Sequence, residues 1–239
     1  MGITQERGAG KYLGLPECFS GSKSKLLAVI TDNLKARLSG WYAKTLFLGG
    51  KEILLKSVAM ALPVYTMLCF KLTKFQCEKL TSAMSSFWWN TFEDKKKIHW
   101  VAWNKMCKSK DEGGLGFRDI GNFNQALLVK QAWRLLHVPN TLIARVYKAR
   151  YFYKKDFMEA ATGGRPSYAW RSILHGRELL AQGLMRVIGN GEQTHVWTDK
   201  WIMDGTPRRP YNKQTSMDLN LKVNPLITAA GTWNVVLLR

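Results

Sequence analysis

The amino-acid sequence predicts a mainly α protein with a short N-terminal β element and a small β-hairpin near the C-terminus. Apolar residues recur at helical spacing through most of the chain, and clusters containing Gly or Pro separate these periodic segments. With 46% hydrophobic and 12% aromatic residues, the chain can build a packed core. Ten tryptophans among 239 residues indicate the same, because each Trp buries a large apolar area.

The N-terminal third is predicted to hold a short strand and two helices. The strand candidate is 12–15, closed by Pro16. A basic amphipathic helix follows, on which the apolar residues at helical spacing are Leu26, Leu27, Ile30, Leu34, Leu38 and Trp41. Gly49-Gly50 is expected to break the pattern, and a second helix is expected over 51–62, ending at Pro63.

Further helices are predicted over 75–89, 123–137 and 142–151, and after Ser167. The apolar residues expected to face inward from the second of these are Phe123, Leu127, Trp133 and Leu136. Residues 64–73 are compatible with either a strand or a helix, and 93–98 form a charged loop before a short helix with Trp100, Trp103 and Met106.

Near the C-terminus the pattern changes to that of a β-hairpin. Residues 185–188 and 194–197 are the two strand candidates, and Gly189-Asn190-Gly191 is the turn between them. Residues 202–232 are expected to be mostly irregular, with a last short element over 226–238.

The charge balance favours a polyanionic partner. The chain has 36 Lys and Arg against 17 Asp and Glu, a formal net charge of +19. Neutralised phosphates release counterions, so such a surface favours RNA or DNA, and we expect an RNA or DNA duplex as partner. The alternative interpretation is ordinary solubility through high net charge.

Metal, cofactor and membrane sites are not expected. The four histidines are far apart, and the four cysteines, Cys18, Cys69, Cys77 and Cys107, form no CxxC pair and are expected to be free thiols in a reducing compartment. The apolar, charge-free run 58–70 is shorter than the roughly 20 residues that span a bilayer. No signal or transit segment is visible, so we expect an intracellular protein, in the nucleus or the cytoplasm.

No complete catalytic constellation is present. The chain has no Asp-Asp pair for two-metal chemistry, and GGLGF at 113–117 lacks the spacing of a phosphate loop. What remains is binding chemistry, because aromatic and basic residues alternate near Tyr12 and Trp41-Tyr42. For Trp41, a place in the helix core is the favoured alternative. The candidate nucleic-acid-binding residues are Lys11, Tyr12, Gly14, Lys35, Arg37, Lys44, Lys51 and Lys56.

An ordered series of blocks carries a family resemblance. The blocks are KYLGLPECFSGSK, RLSGWYAKTLFLGGKEILLKSVAMALPVYTM, FWWN, KIHWVAWNKMC, GGLGFRDIGNFNQALLVKQAWRLL, RPSYAWRSILHGRELL and GNGEQTHVWTDKW. Together they resemble plant non-LTR (LINE-type) retroelement reverse transcriptases. Lys200 stands where that family usually has Pro in WxDPW.

The resemblance implies a helical thumb and connection bundle, without the palm catalytic motif and the ribonuclease H domain. Its divisions are 1–92, a primer-grip hairpin with thumb-like helices; 93–165, a helical connection; and 166–239, a Trp-rich helix with a β-hairpin, truncated before a zinc-binding-like region. It implies a non-catalytic fragment that binds the template-primer backbone. The alternative is a protein-interaction or vestigial product, whose partner covers the former palm-facing surface, including part of 58–70.

Overall fold

The structure is a computed structural model that describes residues 11–12, 15–16, 23–42, 46–91, 97–211, 218–228 and 230–237. The chain divides into two compact units, Met1–Arg177 and Glu178–Arg239. Eight α-helices and two antiparallel strand pairs lie in the described residues, which confirms the mainly α class with its C-terminal hairpin. The finer division into 1–92, 93–165 and 166–239 stays a prediction.

The elements follow in chain order. Strands β1 (Lys11–Tyr12) and β2 (Leu15–Pro16) pair in antiparallel register, so the single strand expected over 12–15 is wrong, because Tyr12 and Leu15 lie in two different strands. The eight α-helices are α1 (Lys23–Tyr42), α2 (Leu48–Leu54), α3 (Val64–Cys69), α4 (Lys74–Trp89), α5 (Trp103–Met106), α6 (Ile120–His137), α7 (Leu142–Tyr151) and α8 (Tyr168–Gly183). Strands β3 (Ile202–Asp204) and β4 (Thr206–Arg208) form the second pair. Short 3-10 turns occur at Lys110–Glu112, Phe157–Glu159 and Asn224–Leu226.

The sequence predicted that the Gly49-Gly50 pair breaks a helix. This prediction is wrong, because the pair lies within α2. The glycines occupy its first turn, where backbone N–H groups need no intrahelical partner, so the poor helix propensity of Gly costs less there. After Leu54 the chain continues as a π-helical turn, Leu55–Ala59, in which Met60 N–H donates to the Leu55 carbonyl at 3.0 Å. The helix expected to reach residue 62 therefore ends earlier, and Pro63 instead precedes α3.

The core of the first unit is built mainly by α1 packing against α4. Its fully buried side chains include Leu34 on α1, Leu55 on the π-helical turn, and Leu80, Met84 and Phe87 on α4. Trp41 is partly buried against this cluster, with its ring centroid 5.7 Å from that of Phe87. Its contact agrees with the core role favoured for Trp41 by the sequence.

Helix α6 buries a different stripe from the one expected. Its buried residues are Ile120, Asn124, Leu128, Ala132 and Leu135. Phe123, Leu127 and Leu136 are half-buried, whereas Trp133, expected to point inward, is 43% exposed and stacks on His137 at 5.2 Å. The reason is that α6 packs against α3, α4 and α7 together, and these neighbours select the stripe.

The second unit has its own small core of Val196, Val223 and Leu226. The hairpin expected over 185–197 is wrong in position. Residues 194–196 pair instead with 221–223, through N–H groups of Val196 and Val223 that donate to the Leu221 and Thr194 carbonyls, both at 2.9 Å. The hairpin lies at β3 and β4, joined by Gly205 at φ 84°.

No helix in the described part of the chain is both long enough and apolar enough to cross a bilayer.

Candidate nucleic-acid interface

A groove of about 610 Å³ runs between α1 and α4. We call it the basic groove, and its lining residues are Lys35, Leu38, Ser39, Lys79, Ser82, Ala83, Ser86, Asn90, Lys97 and His99. Among these described lining residues three are lysines, three are serines and none carries a carboxylate. The groove therefore combines positive charge with hydroxyl groups, the chemistry that proteins use to contact phosphate oxygens.

The three lysines come from separate parts of the fold. Lys35 projects from α1 and Lys79 from α4, while Lys97 lies in the segment that follows α4. All three residues are exposed. The ammonium of Lys79 lies 4.4 Å from the centroid of the Phe75 ring, one helical turn away, which favours one orientation of a long side chain.

The end of the groove is held by hydrogen bonds between α4 and the segment after it. The backbone N–H of Lys97 donates to Asn90 Oδ1 at 2.9 Å, and its ammonium donates to Thr91 Oγ1 at 2.5 Å. Ser85 Oγ lies 3.3 Å from His99 Nδ1. These contacts fix where Lys97 and His99 stand relative to α4.

Lys51 is a structural group in this arrangement. It is only 8% exposed, and its ammonium donates to the carbonyls of Asn90 at 2.5 Å and Trp88 at 3.4 Å, at the C-terminus of α4. Burial first, and then the Lys97 ammonium, lower the pKa of Lys51. The positive end of its side chain satisfies carbonyls that the last turn of a helix leaves without partners.

Lys56 is similarly engaged. Its ammonium lies 2.7 Å from Glu52 Oε1 and donates to the Leu115 carbonyl at 2.6 Å. It also lies 5.6 Å from the centroid of the Phe117 ring. The Lys56 hydrogen bond to Glu52 lowers the pKa of that carboxyl group. Lys56 therefore ties the loop before α6 to the π-helical turn.

The remaining predicted site residues lie apart from the basic groove or outside the described residues. Arg37 is exposed, but it lines another cavity of about 560 Å³, with Asn33, Gly40, Trp41 and Leu62. Residues two apart on a helix lie on nearly opposite sides, which separates Arg37 from Lys35. Lys11 and Tyr12 form β1, whereas Gly14 and Lys44 lie outside the described residues.

The sequence interpretation missed Lys79 and Lys97 as companions of Lys35. Their distance from Lys35 along the chain hides the relation, because only the packing of α1 on α4 brings them to one groove. The recurring serines on one side of α4, Ser82 and Ser86, are a helical-spacing signal that was available.

No group of three or more His, Cys, Asp or Glu residues that could hold a metal ion occurs in the described ranges. The free cysteines described are Cys69, Cys77 and Cys107. Burial raises the pKa of all three thiols, that of Cys107 to about 11. Such thiols are poor nucleophiles at neutral pH, because the thiolate is the reactive form.

The fold and the groove define a mainly helical, strongly basic protein. Comparison with known proteins then places it in a family. The chain is 62% identical over 154 residues to the uncharacterized mitochondrial protein AtMg00310 of Arabidopsis thaliana; the match covers 64% of this chain and all of that protein. The chain belongs to the family of this mitochondrial protein.

A second relative is the putative ribonuclease H protein At1g65750 of Arabidopsis thaliana, which is 36% identical over 176 residues. The match covers 72% of this chain but 28% of that protein, so this chain spans little more than a quarter of the relative's length. No family model and no solved structure matches the chain. The two relatives point to a retroelement-related protein, and the finer assignment to part of a reverse transcriptase stays a prediction.

Proposed function

We propose that this chain is a non-catalytic, retroelement-derived protein that binds the sugar-phosphate backbone of a nucleic-acid duplex. It corresponds in this proposal to the thumb and connection region of a LINE-type reverse transcriptase. Its similarity to part of a putative ribonuclease H protein and the ordered motifs support that origin. The absence of an Asp-Asp pair from the sequence supports a binding role over polymerase chemistry.

The basic groove is the observation that carries the binding proposal. Lysines from α1, α4 and the segment after α4 line one groove of about 610 Å³, and none of its described lining residues carries a carboxylate. A phosphate backbone that enters the groove meets positive charge from more than one side, and the lining serine hydroxyls are additional hydrogen-bond donors.

Backbone contacts of this kind give affinity without reading the base sequence. Each phosphate that a lysine neutralises releases condensed counterions, so the affinity falls as the salt concentration rises. The proposed binding is therefore weakly sequence-specific and strongly salt-dependent. A formal net charge of +19 adds long-range attraction and speeds encounter with a polyanion.

Of the predicted binding residues, Lys35 contacts phosphate at the groove, whereas Lys51 and Lys56 hold the surrounding structure in place. Lys51 holds the last carbonyls of α4, the helix that carries Lys79. Lys56 fastens the Leu115 loop. If either ammonium moved away from its carbonyl partner, a buried or half-buried acceptor would lose its hydrogen bond.

The test is binding of the full chain to an RNA–DNA duplex, followed by fluorescence anisotropy over a range of salt concentrations. The groove variant carries Lys35→Gln, Lys79→Gln and Lys97→Gln. The matched control removes the same number of charges through Lys105→Gln, Lys108→Gln and Lys130→Gln, at exposed lysines that do not line the groove. We expect the groove variant to bind more weakly and with a shallower salt dependence. Wild-type protein that fails to bind at low salt, or a groove variant that binds as wild type does, would overturn the proposal.

The alternative function is a protein-interaction role, and exposed apolar residues on and beside α2 favour it. Phe47 is 78% exposed, Leu48 61% and Ile53 65%. Exposed apolar surface of this kind marks either a partner site or a tendency to self-associate. Size-exclusion chromatography of the isolated chain tests this alternative, since a clean monomer over a wide concentration range argues against a surface that requires cover.

A further inference from the structure

Helix α7 has one side fixed to the body of the first unit. Ala144 is 3% exposed, and Tyr147 and Tyr151 are half-buried, with ring centroids 5.5 Å and 4.7 Å from that of the buried Trp170. The Tyr151 and Trp170 rings are parallel to within 3°. These contacts determine which side of α7 faces outward.

The outward side carries an apolar line, which we call the α7 ridge and which consists of Leu142, Val146 and Ala149. Leu142 is 77% exposed, Val146 is 54% exposed, and Ala149 is also exposed. Their spacing of four and three residues places them one above the other on one helix face, opposite the buried side. Leu142, the first residue of α7, is too exposed to contribute to the core.

Cations lie on both sides of the α7 ridge. From the positions of these residues around the helix, Arg145 and Lys148 flank it on one side and Arg150 on the other, and all three are exposed. The sequence holds no Asp or Glu between Asp119 and Asp156. The Lys and Arg residues of that interval are Lys130, Arg134, Arg145, Lys148, Arg150, Lys154 and Lys155.

We propose that the α7 ridge attaches the protein to an anionic lipid surface. The ridge enters the boundary between headgroups and acyl chains, and the flanking cations contact lipid phosphates and carboxylates. Apolar residues at the centre of a helix face with Lys and Arg at its margins are the arrangement of helices that lie in a membrane interface. The sequence predicted no membrane partner because it contains no run long enough to span a bilayer. Attachment by one helix face does not require such a run.

The charge of the surface selects this occupant over the others. A second copy of the chain that docked through the same face would place the exposed cations of one α7 against those of the other, and like charges repel. A nucleic acid would satisfy the cations, but Leu142 and Val146 would then face phosphates and sugars, where aliphatic groups gain little. An anionic membrane complements both the flanking cations and the apolar ridge, because its negative headgroups lie directly above apolar acyl chains.

The small size of the ridge also bears on how the attachment works. Even a whole myristoyl chain gives only marginal membrane binding, so a Leu, a Val and an Ala cannot hold the protein by themselves. Each Lys or Arg near an anionic surface adds electrostatic attraction, so the flanking cations supply what the small ridge lacks. The attachment is therefore reversible, and it requires both anionic lipid and the ridge.

The experiment is cosedimentation of the full chain with vesicles of phosphatidylcholine alone and of phosphatidylcholine mixed with phosphatidylserine. We expect binding to the mixed vesicles and none to the neutral ones. The ridge variant, Leu142→Ser with Val146→Ser, should bind the mixed vesicles about tenfold more weakly, because it loses the burial of two aliphatic side chains. Leu219→Ser with Val187→Ser, at an exposed Leu and an exposed Val away from α7, is the matched control and should bind as wild type does.

Two parallel measurements keep the result interpretable. Thermal unfolding of the ridge variant should match that of wild type, since both side chains are exposed. Binding of the ridge variant to an RNA–DNA duplex should also be unchanged. No binding of wild type to mixed vesicles, or a ridge variant that binds them as well as wild type, overturns the proposal. It is also overturned if the ridge variant loses duplex binding, because the surface then belongs to a nucleic-acid site.

Discussion

Replacing Lys51 by Ala separates a structural lysine from a phosphate-binding one. The sequence places Lys51 among the candidate nucleic-acid-binding residues, whereas its ammonium lies 2.5 Å from the Asn90 carbonyl and 3.4 Å from the Trp88 carbonyl. Lys51→Ala removes these donors and leaves carbonyls at the C-terminus of α4 buried without a partner. We therefore expect a loss of stability with little direct effect on the charge of the groove.

The size of the effect follows from the contacts. A hydrogen bond to a charged group contributes about 1.5–3 kcal/mol. The buried side-chain methylenes of Lys51 add packing, whereas burial of the charge, which lowers the pKa of Lys51, subtracts from the total. A net loss of about 2 kcal/mol is expected, which is a decrease in Tm of about 4–8 °C for a chain of this size.

The assay is urea and thermal unfolding of Lys51→Ala beside Lys35→Ala. Lys35 is an exposed residue at the groove, so its replacement should change the free energy of unfolding by less than about 0.5 kcal/mol while weakening duplex binding. If Lys51→Ala leaves stability unchanged and lowers duplex affinity as Lys35→Ala does, the structural role given to Lys51 is refuted.

Three further outcomes are expected. Asn124→Leu should lower the free energy of unfolding by about 3 kcal/mol, because the buried Asn124 side chain accepts from Leu72 N–H and donates to the Met67 and Phe70 carbonyls at 2.8–3.0 Å. Urea unfolding measures this loss, with Asn140→Leu at an exposed residue as the control. Gly176→Ala should lower the free energy of unfolding by about 3 kcal/mol or more, because the added Cβ would lie 2.4 Å from the Leu128 carbonyl carbon. The control is Gly183→Ala, whose added Cβ has no other atom within 4 Å. Equal unfolding midpoints for the two variants would contradict the close packing of α8 on α6. The Lys56 hydrogen bond lowers the pKa of Glu52, so this carboxylate should stabilise the fold above its ordinary pKa of 4.5 and lose that contribution as the pH falls through the lowered value. The stability of Glu52→Gln should therefore decrease less steeply in acid than that of wild type. An acid profile identical to that of wild type would argue against the ion pair.

The sequence was sufficient for the main helices and for the class of fold. Periodicity predicted helices close to α1, α4, α6, α7 and α8, because each has a face that must be buried whichever neighbour covers it. It placed the C-terminal hairpin wrongly because turn residues at 189–191 fit a hairpin locally, whereas 194–196 pairs with 221–223. The choice of a strand partner depends on distant residues that a local pattern does not include.

The candidate site was less predictable for a related reason. Lys35 and Lys51 look alike in sequence, since each is a lysine on an amphipathic helix. Only the packing of α2 on α4 brings Lys51 to the Trp88 and Asn90 carbonyls, while Lys35 remains at an open groove. Trp133 shows the same limit, because its helical position suits burial, yet the neighbours of α6 select another stripe.

The central claim is that the basic groove holds a nucleic-acid backbone, and the salt dependence of duplex binding tests it most directly. The slope of log affinity against log salt concentration should become shallower by as much as about 0.9 for each groove lysine that contacts a phosphate and is changed to Gln. The Lys35, Lys79 and Lys97 triple variant should thus show a clearly reduced slope, while the Lys105, Lys108 and Lys130 triple control should keep that of wild type. An equal reduction in both variants would mean that the overall charge, and not the groove, determines binding.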